Sequence, residues 1–358
     1  MTAGGARKRR WSNRLIGRDK REISGIEDWF TVAKAVQLTQ CSRMNRLCLS
    51  VVAVLFAAFA LITQPSARAD AFGTSGNEFT IDFVDIGNAG NPADTTTYGA
   101  VPYEYRVGKY EISEDAITKA TASGMANVTA GPWTGSQPAG KINWYQAAAF
   151  VNWLNTSTGK TAAYDLSFIE DSWSMTLQSS ANAWTAGGTN LYRNKDAYYF
   201  LPSENEWYKA AYFNPSGTSY FEYPTGSSTA PTPVASGTNA GTAVYYGGDI
   251  TNPAAVTFAG GLSPYGTMGQ GGNVWEWNES AFDGTNSSSS ENRTFRGGNW
   301  LFNESFSLLS SSRYGVNPET RGDLGNVGFR VASLPEPSTY ALLLMAGAGA
   351  LWMTRIRR

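Results

Sequence analysis

Gly272-Asn273-Val274-Trp275-Glu276-Trp277, then Arg296-Gly297-Gly298-Asn299-Trp300, then Asn326-Val327-Gly328-Phe329-Arg330: these three runs decide the fold. Turn formers alternate in them with large rings and arginines. Arg296, Arg330 and the intervening Arg313 are expected to tie loops together, since a guanidinium makes charge-assisted hydrogen bonds to carbonyls and carboxylates. The rest of the chain shares the bias, with 13% aromatic and 16% charged residues and 38 glycines in 358 positions. Such a composition predicts many turns packed around Trp and Tyr rather than long helices.

Upstream, two segments carry helix signals. In Lys141-Ile142-Asn143-Trp144 and the residues after it, Asn143 and Gln146 are spaced as a variant capping box. Trp144, Ala147, Ala148, Val151 and Leu154 then recur on one helical face. In Phe200-Leu201-Pro202-Ser203-Glu204-Asn205-Glu206-Trp207-Tyr208-Lys209-Ala210-Ala211, Ser203 and Glu206 form a Ser-x-x-Glu box, and Trp207, Ala210 and Ala211 supply the buried side. Ser113 is placed to cap a short helix over Glu114 to Lys119. Phe79 to Ile86 alternates as a strand, and Tyr103 to Ile112 reads as one strand or a pair. Residues 214–264 and 283–292, rich in Gly, Ser, Thr, Pro and Asn, read as long ordered loops. Loops of that length are usually functional or held by a ligand.

Taken together and in order, the Lys141–Trp153, Phe200–Ala211 and Gly272–Arg330 segments resemble the formylglycine-generating enzyme (sulfatase-modifying factor) family. The resemblance implies an α+β domain over residues 70–334, loop-rich with little regular secondary structure and akin to C-type lectins. The family's enzymes oxidise a substrate cysteine with O₂ and copper, using two active-site cysteines placed shortly after Arg-Gly-Gly-x-Trp. The matching positions here are Phe302 and Ser307. A phenyl ring and a hydroxyl cannot replace soft thiolates, so the chain is expected not to catalyse that reaction. Related iron enzymes need histidine ligands, and this sequence has no histidine.

The resemblance also implies a calcium site on the Gly-Asn-x-Trp-Glu-Trp turn. It would use the carbonyls of Gly272 and Val274 and the carboxylate of Glu276, with Gly269 at a position where the family carries a side-chain oxygen. Ca²⁺ takes 6–8 oxygens, so water would complete the shell. The bland alternative has Glu276 capping the loop. A second calcium site would fall in the 239–262 loops, with Asn239 and Asp249 as donors. Trp275, Trp277 and Trp300 are expected in the core. Exposed rings in 183–200 and 214–264 are better candidates for contact with a sugar. Arg313 and Trp300 are the candidates for a remnant groove. Glu276, Glu279, Asp283 and Glu304 are the carboxylates that an alternative, cysteine-free enzyme would use.

The two ends address the chain. Leu47 to Ile62 is an apolar run after Arg43 and Arg46, followed by Ala67-Arg68-Ala69. This describes a secretory signal peptide over 44–69, cut before Asp70; residues 1–43 read as a misassigned extension. Pro335-Glu336-Pro337, the apolar stretch Tyr340 to Met353 and the terminal arginines resemble a PEP-CTERM sorting signal over 335–358. That implies a short transmembrane segment and processing by an exosortase. The expected route is export, transient anchoring in the inner membrane, and then the cell surface or the medium.

Removing both ends leaves residues 70–337 with net charge −12 and without Cys41 and Cys48. Nucleic acid is disfavoured by that charge. With neither thiol nor imidazole, Ser-His-Asp and papain-type catalysis and His- or Cys-held copper, iron and zinc are excluded. Calcium is the one cofactor left open, and a polysaccharide or envelope protein is the expected partner besides the secretion machinery.

Overall fold

Alternation in Phe79–Ile86 has its expected consequence: Phe79, Ile81 and Phe83 are buried, because successive strand side chains face opposite sides; Ile86, out of that period, is buried as well. The computed structural model describes residues 68–335 apart from 246–250, 303 and 323–324. Its first half contains β1 (Arg68–Phe72), β2 (Phe79–Ile86), β3 (Tyr105–Gly108), α1 (Glu114–Ala122), α2 (Trp144–Ser157), β4 (Asp165–Ile169), β5 (Ser172–Thr176), β6 (Ala183–Trp184), β7 (Asn190–Asn194) and β8 (Tyr199–Phe200). The second half contains α3 (Glu204–Tyr212), β9 (Thr232–Pro233), β10 (Thr242–Ala243), β11 (Trp275–Ala281), β12 (Arg293–Arg296), β13 (Tyr314–Val316), β14 (Val327–Phe329) and β15 (Ala332–Ser333).

The three helices among the described residues begin where the caps place them. Ser113 accepts from the amide of Ala116. Asn143 with Gln146, and Ser203 with Glu206, each form the reciprocal capping box. Each box satisfies amide donors that a helix start leaves unpaired. Helix α2 buries Trp144, Ala147, Ala148, Phe150, Val151 and Leu154, and its Phe150 packs edge-on against Phe329 of β14.

Two sheets organise the domain. One runs β1-β2-β3-β15-β8 and is antiparallel throughout. The other runs β13-β12-β11-β14, with β11 and β14 parallel. The last strands join the sheets: β14 lies on the second, β15 on the first, and only Arg330 and Val331 stand between them. The expected Tyr103–Ile112 strand is shorter. Regular strand covers only Tyr105–Gly108; Lys109 still donates to Asp82 O at 2.7 Å, and the chain then turns so that the amide of Ile112 bonds Phe329 O.

The described residues of the 214–264 segment are irregular, holding β9, β10 and one 3-10 turn at Val256–Phe258. Trp275, Trp277 and Trp300 are buried, as expected of core rings. The signal peptide apart from Arg68 and Ala69, and the sorting segment beyond Pro335, lie outside the described residues, as does Asp249. Among the described residues no helix is long and apolar enough to cross a membrane. Asp70, the expected first residue after cleavage, belongs to β1, where its carboxylate takes Arg106 at 2.7 and 3.1 Å and the Tyr199 hydroxyl at 2.8 Å.

Candidate functional site

The Gly272–Trp277 turn enters β11, and its Glu276 is fully buried. Among the described residues Glu276 caps no backbone amide. Arg330 grips it with Nη2 at 2.5 Å and Nε at 2.6 Å, and the indole of Trp207 donates to Oε2 at 2.7 Å. The remaining donors of Arg330 reach the carbonyls of Gly108 and Met268, 2.8 and 2.9 Å away. One guanidinium at the β14–β15 crossover therefore ties β11, the end of β3 and the Met268 loop together.

The place of the missing donor at Gly269 is filled from elsewhere. A methyl group on Gly269 would meet the carboxylate of Glu111 at 2.9 Å. Glu111, 3% exposed, accepts from Asn273 Nδ2 at 2.5 Å and from the amide of Val274 at 3.2 Å. Glu111 thus performs the capping that the sequence suggested for Glu276. Sequence reasoning missed it, since a single acid in Tyr-Glu-Ile gives no sign of turning inward.

The Gly272, Val274 and Glu276 set does not fit a calcium ion in this arrangement. Its only carboxylate is bound bidentately to a guanidinium, and a divalent cation on the same oxygens would meet that charge at contact distance. Among the described residues no group of three or more His, Cys, Asp or Glu side chains gathers around a point. Asn239 is exposed, with its carbonyl held by Thr242.

Burial first, and the neighbouring Glu276 second, push Glu111 well above its ordinary value of 4.5, with Arg330 opposing. Its folded form keeps a proton that the unfolded chain releases, so its contribution is complete below about pH 4.5 and is lost as pH rises through the folded value. Glu111→Gln removes that loss and retains an oxygen for Val274. The variant is expected to gain on the order of 1 kcal/mol over the parent at pH 8 and nothing at pH 4. Urea unfolding at both pH values measures this, and parallel curves would refute it.

A second buried cluster lies under α3. Arg193, 1% exposed, bonds Glu206 at 2.8 and 3.1 Å and Glu279 at 2.7 Å, and its guanidinium sits 3.7 Å above the Phe200 ring. Tyr103 donates to Glu206, and Tyr164 and Asn190 donate to Glu279. Nothing in the sequence marks Arg193, which sits between tyrosine and asparagine on a short strand. Glu204, at the start of α3, is held by Arg296 at 2.7 Å and by Arg313 at 2.8 Å through both oxygens. Here an anion at a helix N-terminus is also favoured by the dipole.

Arg313 and Trp300, the groove candidates, are not brought together. Arg313 is committed to Glu204 and the Phe282 carbonyl, with its guanidinium 4.0 Å over the Phe282 ring. Trp300, 6% exposed, packs with Val244, Ala254 and Val274 and sits edge-on to Trp133. At the positions expected to match the family's cysteines, Phe302 is 51% exposed, and Ser307 is buried with its hydroxyl donated to the Glu304 carbonyl at 2.9 Å. The four carboxylates of the alternative enzyme share no cleft. Glu276 and Glu279 are buried in separate ion pairs, Asp283 binds its own loop through Thr285, and Glu304 is exposed.

Two solved structures have similar folds. Treponema denticola variable protein 1 is 18% identical with a TM-score of 0.50, over 75% of this chain and all of that one. CarF is 17% identical with a TM-score of 0.52, over 72% and 99% respectively. At these identities the likeness concerns the fold alone. No curated protein matches the chain. The loop-rich α+β architecture agrees with the C-type-lectin-like fold that the resemblance implied. Residues 75–334 match the sulfatase-modifying factor enzyme 1-like domain, and the chain belongs to that family.

Proposed function

We propose that the chain is an exported, non-catalytic binding module of the cell envelope, built on the sulfatase-modifying factor scaffold, with a saccharide or an envelope protein as partner. The observation that carries this reading is the pair of residues at the cysteine positions. An exposed phenyl ring at Phe302 and a buried, internally bonded hydroxyl at Ser307 can neither hold Cu(I) nor exchange with a disulfide. Export rests on the signal peptide at 44–69 and on the sorting segment at 335–358, where an exosortase would cut near Pro335-Glu336-Pro337. A cut before Asp70 would leave in place the carboxylate that binds Arg106 and Tyr199. The net charge of −12 on residues 70–337 argues for a partner other than nucleic acid.

The test is chemical. The secreted protein, incubated aerobically with Cu(I) and a sulfatase-type cysteine peptide, is expected to yield no aldehyde above the buffer control by mass spectrometry. Formylglycine in the peptide would overturn the reading.

A further inference from the structure

A cavity of about 190 Å³ opens beside α3, lined by neither Phe302 nor Ser307. Three rings line it: Trp184 on β6, and Tyr98 and Tyr103 ahead of β3. All three are partly exposed, and Trp184 meets Tyr103 edge-on with centroids 5.3 Å apart. Trp184 falls in the 183–200 segment that the sequence marked for ring contacts.

The polar groups of the wall are unevenly used. Asn205 accepts from the amide of Gly99 at 2.9 Å through Oδ1, and Asn286 accepts from the amide of Ala281 at 2.7 Å through Oδ1. Each amide is thereby fixed in orientation while its NH₂ makes no hydrogen bond among the described residues. The hydroxyls of Tyr98 and Thr189 are likewise unbonded among them. Charge is present in the floor but is already balanced. Arg193 stands between Glu206 and Glu279, and Glu204 between Arg296 and Arg313. One trio is negative by one charge and the other positive by one, so together they offer no net charge to a ligand.

Arg193 lies 5.5 Å from the Trp184 centroid, and Arg296 and Arg313 lie 4.9 and 5.0 Å from that of Tyr98; the ring surface left to the cavity, the fixed hydrogen-bond donors and the neutral floor define the ligand chemically. It has apolar C–H faces and hydroxyl or carbonyl oxygens, and it is uncharged. The volume lies below the roughly 300 Å³ at which drug-sized pockets begin, so it suits one ring at the end or branch of a chain. The geometry points to this cavity as a binding site for a neutral saccharide ring, with Trp184 as the packing face and Asn205 and Asn286 as the donors. This inference rests on the reading of the chain as a binding module and gives that module its ligand class and its site.

The experiment uses the secreted protein with cellobiose, maltotriose, chitotriose and a β-galactobiose as probes, followed by calorimetry and tryptophan fluorescence. At least one probe is expected to bind, and Trp184→Ala is expected to weaken it at least tenfold. Asn205→Asp and Asn286→Asp keep the oxygens that Gly99 and Ala281 need and replace each free NH₂ donor with an anionic acceptor. They keep the fold testable should Trp184→Ala melt early, and the pair is expected to weaken binding about tenfold, within the range of lost hydrogen bonds to a ligand. Phe306→Ser, at a ring 50% exposed on the 3-10 turn Ser305–Leu308, is expected to change nothing. Loss of binding with Phe306→Ser but not with the asparagine pair would move the site elsewhere and overturn the inference while leaving the module intact. Absence of binding to all four probes would overturn the saccharide assignment. Formylglycine production, measured separately, would overturn the module itself.

Discussion

Arg330→Met is expected to cost about 3–5 kcal/mol, the range for removing one partner of a buried ion pair. For a domain of this size that lowers the melting temperature on the order of 10 °C. The loss has three sources. Glu276, fully buried, keeps only the Trp207 indole as a donor. Glu111, already pushed up by burial and by Glu276, loses the guanidinium that opposes the push. The carbonyls of Gly108 and Met268 lose their donors. Methionine fills much of the volume, so little of the effect comes from a cavity. The double variant Arg330→Met, Glu276→Leu separates charge from scaffold. It is expected to recover part of the loss, since removing both partners of a buried pair costs less than removing one. Equal melting temperatures for the single and double variants would show that the carbonyl contacts, not the ion pair, hold the crossover.

Features set by nearby residues were legible in the sequence. The caps at Ser113, Asn143 and Ser203 bond amides three residues away, so spacing alone reveals them. The alternation of Phe79–Ile86 and the burial of Trp275 and Trp277 follow from side-chain type and period. The arginines of the Arg-Gly-Gly and Gly-Phe-Arg runs were read as loop ties, and Arg296 and Arg330 do bind carbonyls and carboxylates. What spacing could not reveal depends on contacts between distant residues. β15 is two residues long and pairs with strands more than 130 positions away; no two-residue run carries a period. Glu111 reaches the void beside Gly269 across 158 positions of chain, and the turn expected to bind metal is instead closed by a carboxylate and a guanidinium. The cavity at Trp184 is assembled from four separate segments, so only its ring was visible beforehand.

Arg193→Met is expected to be at least as costly as Arg330→Met at neutral pH, because Arg193 bonds two buried carboxylates directly whereas Arg330 bonds one. In the parent, burial pushes Glu206 up, but Arg193 outweighs it and holds Glu206 below 4.5. Glu206 therefore contributes stability above about pH 4.5 that is lost as pH falls through its folded value. Glu279 ends above 4.5, because burial exceeds the help from Arg193; its contribution is complete below about pH 4.5 and is lost as pH rises. Without Arg193, burial of both acids is opposed only by their remaining hydrogen bonds, from Tyr103 and the Ser203 amide on Glu206 and from Tyr164 and Asn190 on Glu279, so both shift upward. The variant then becomes more stable, relative to the parent, as pH falls from 7.5 toward 4.5, where both acids take up protons. Urea unfolding is expected to give a gap of about 3–5 kcal/mol at pH 7.5, narrowing at pH 4.5. The guanidinium also lies 3.7 Å over Phe200, and loss of that contact would cost the same at both pH values. A gap that does not change with pH would mean that Arg193 matters as packing on the ring, and that the Glu206–Glu279 pair is held by its tyrosine and asparagine donors instead.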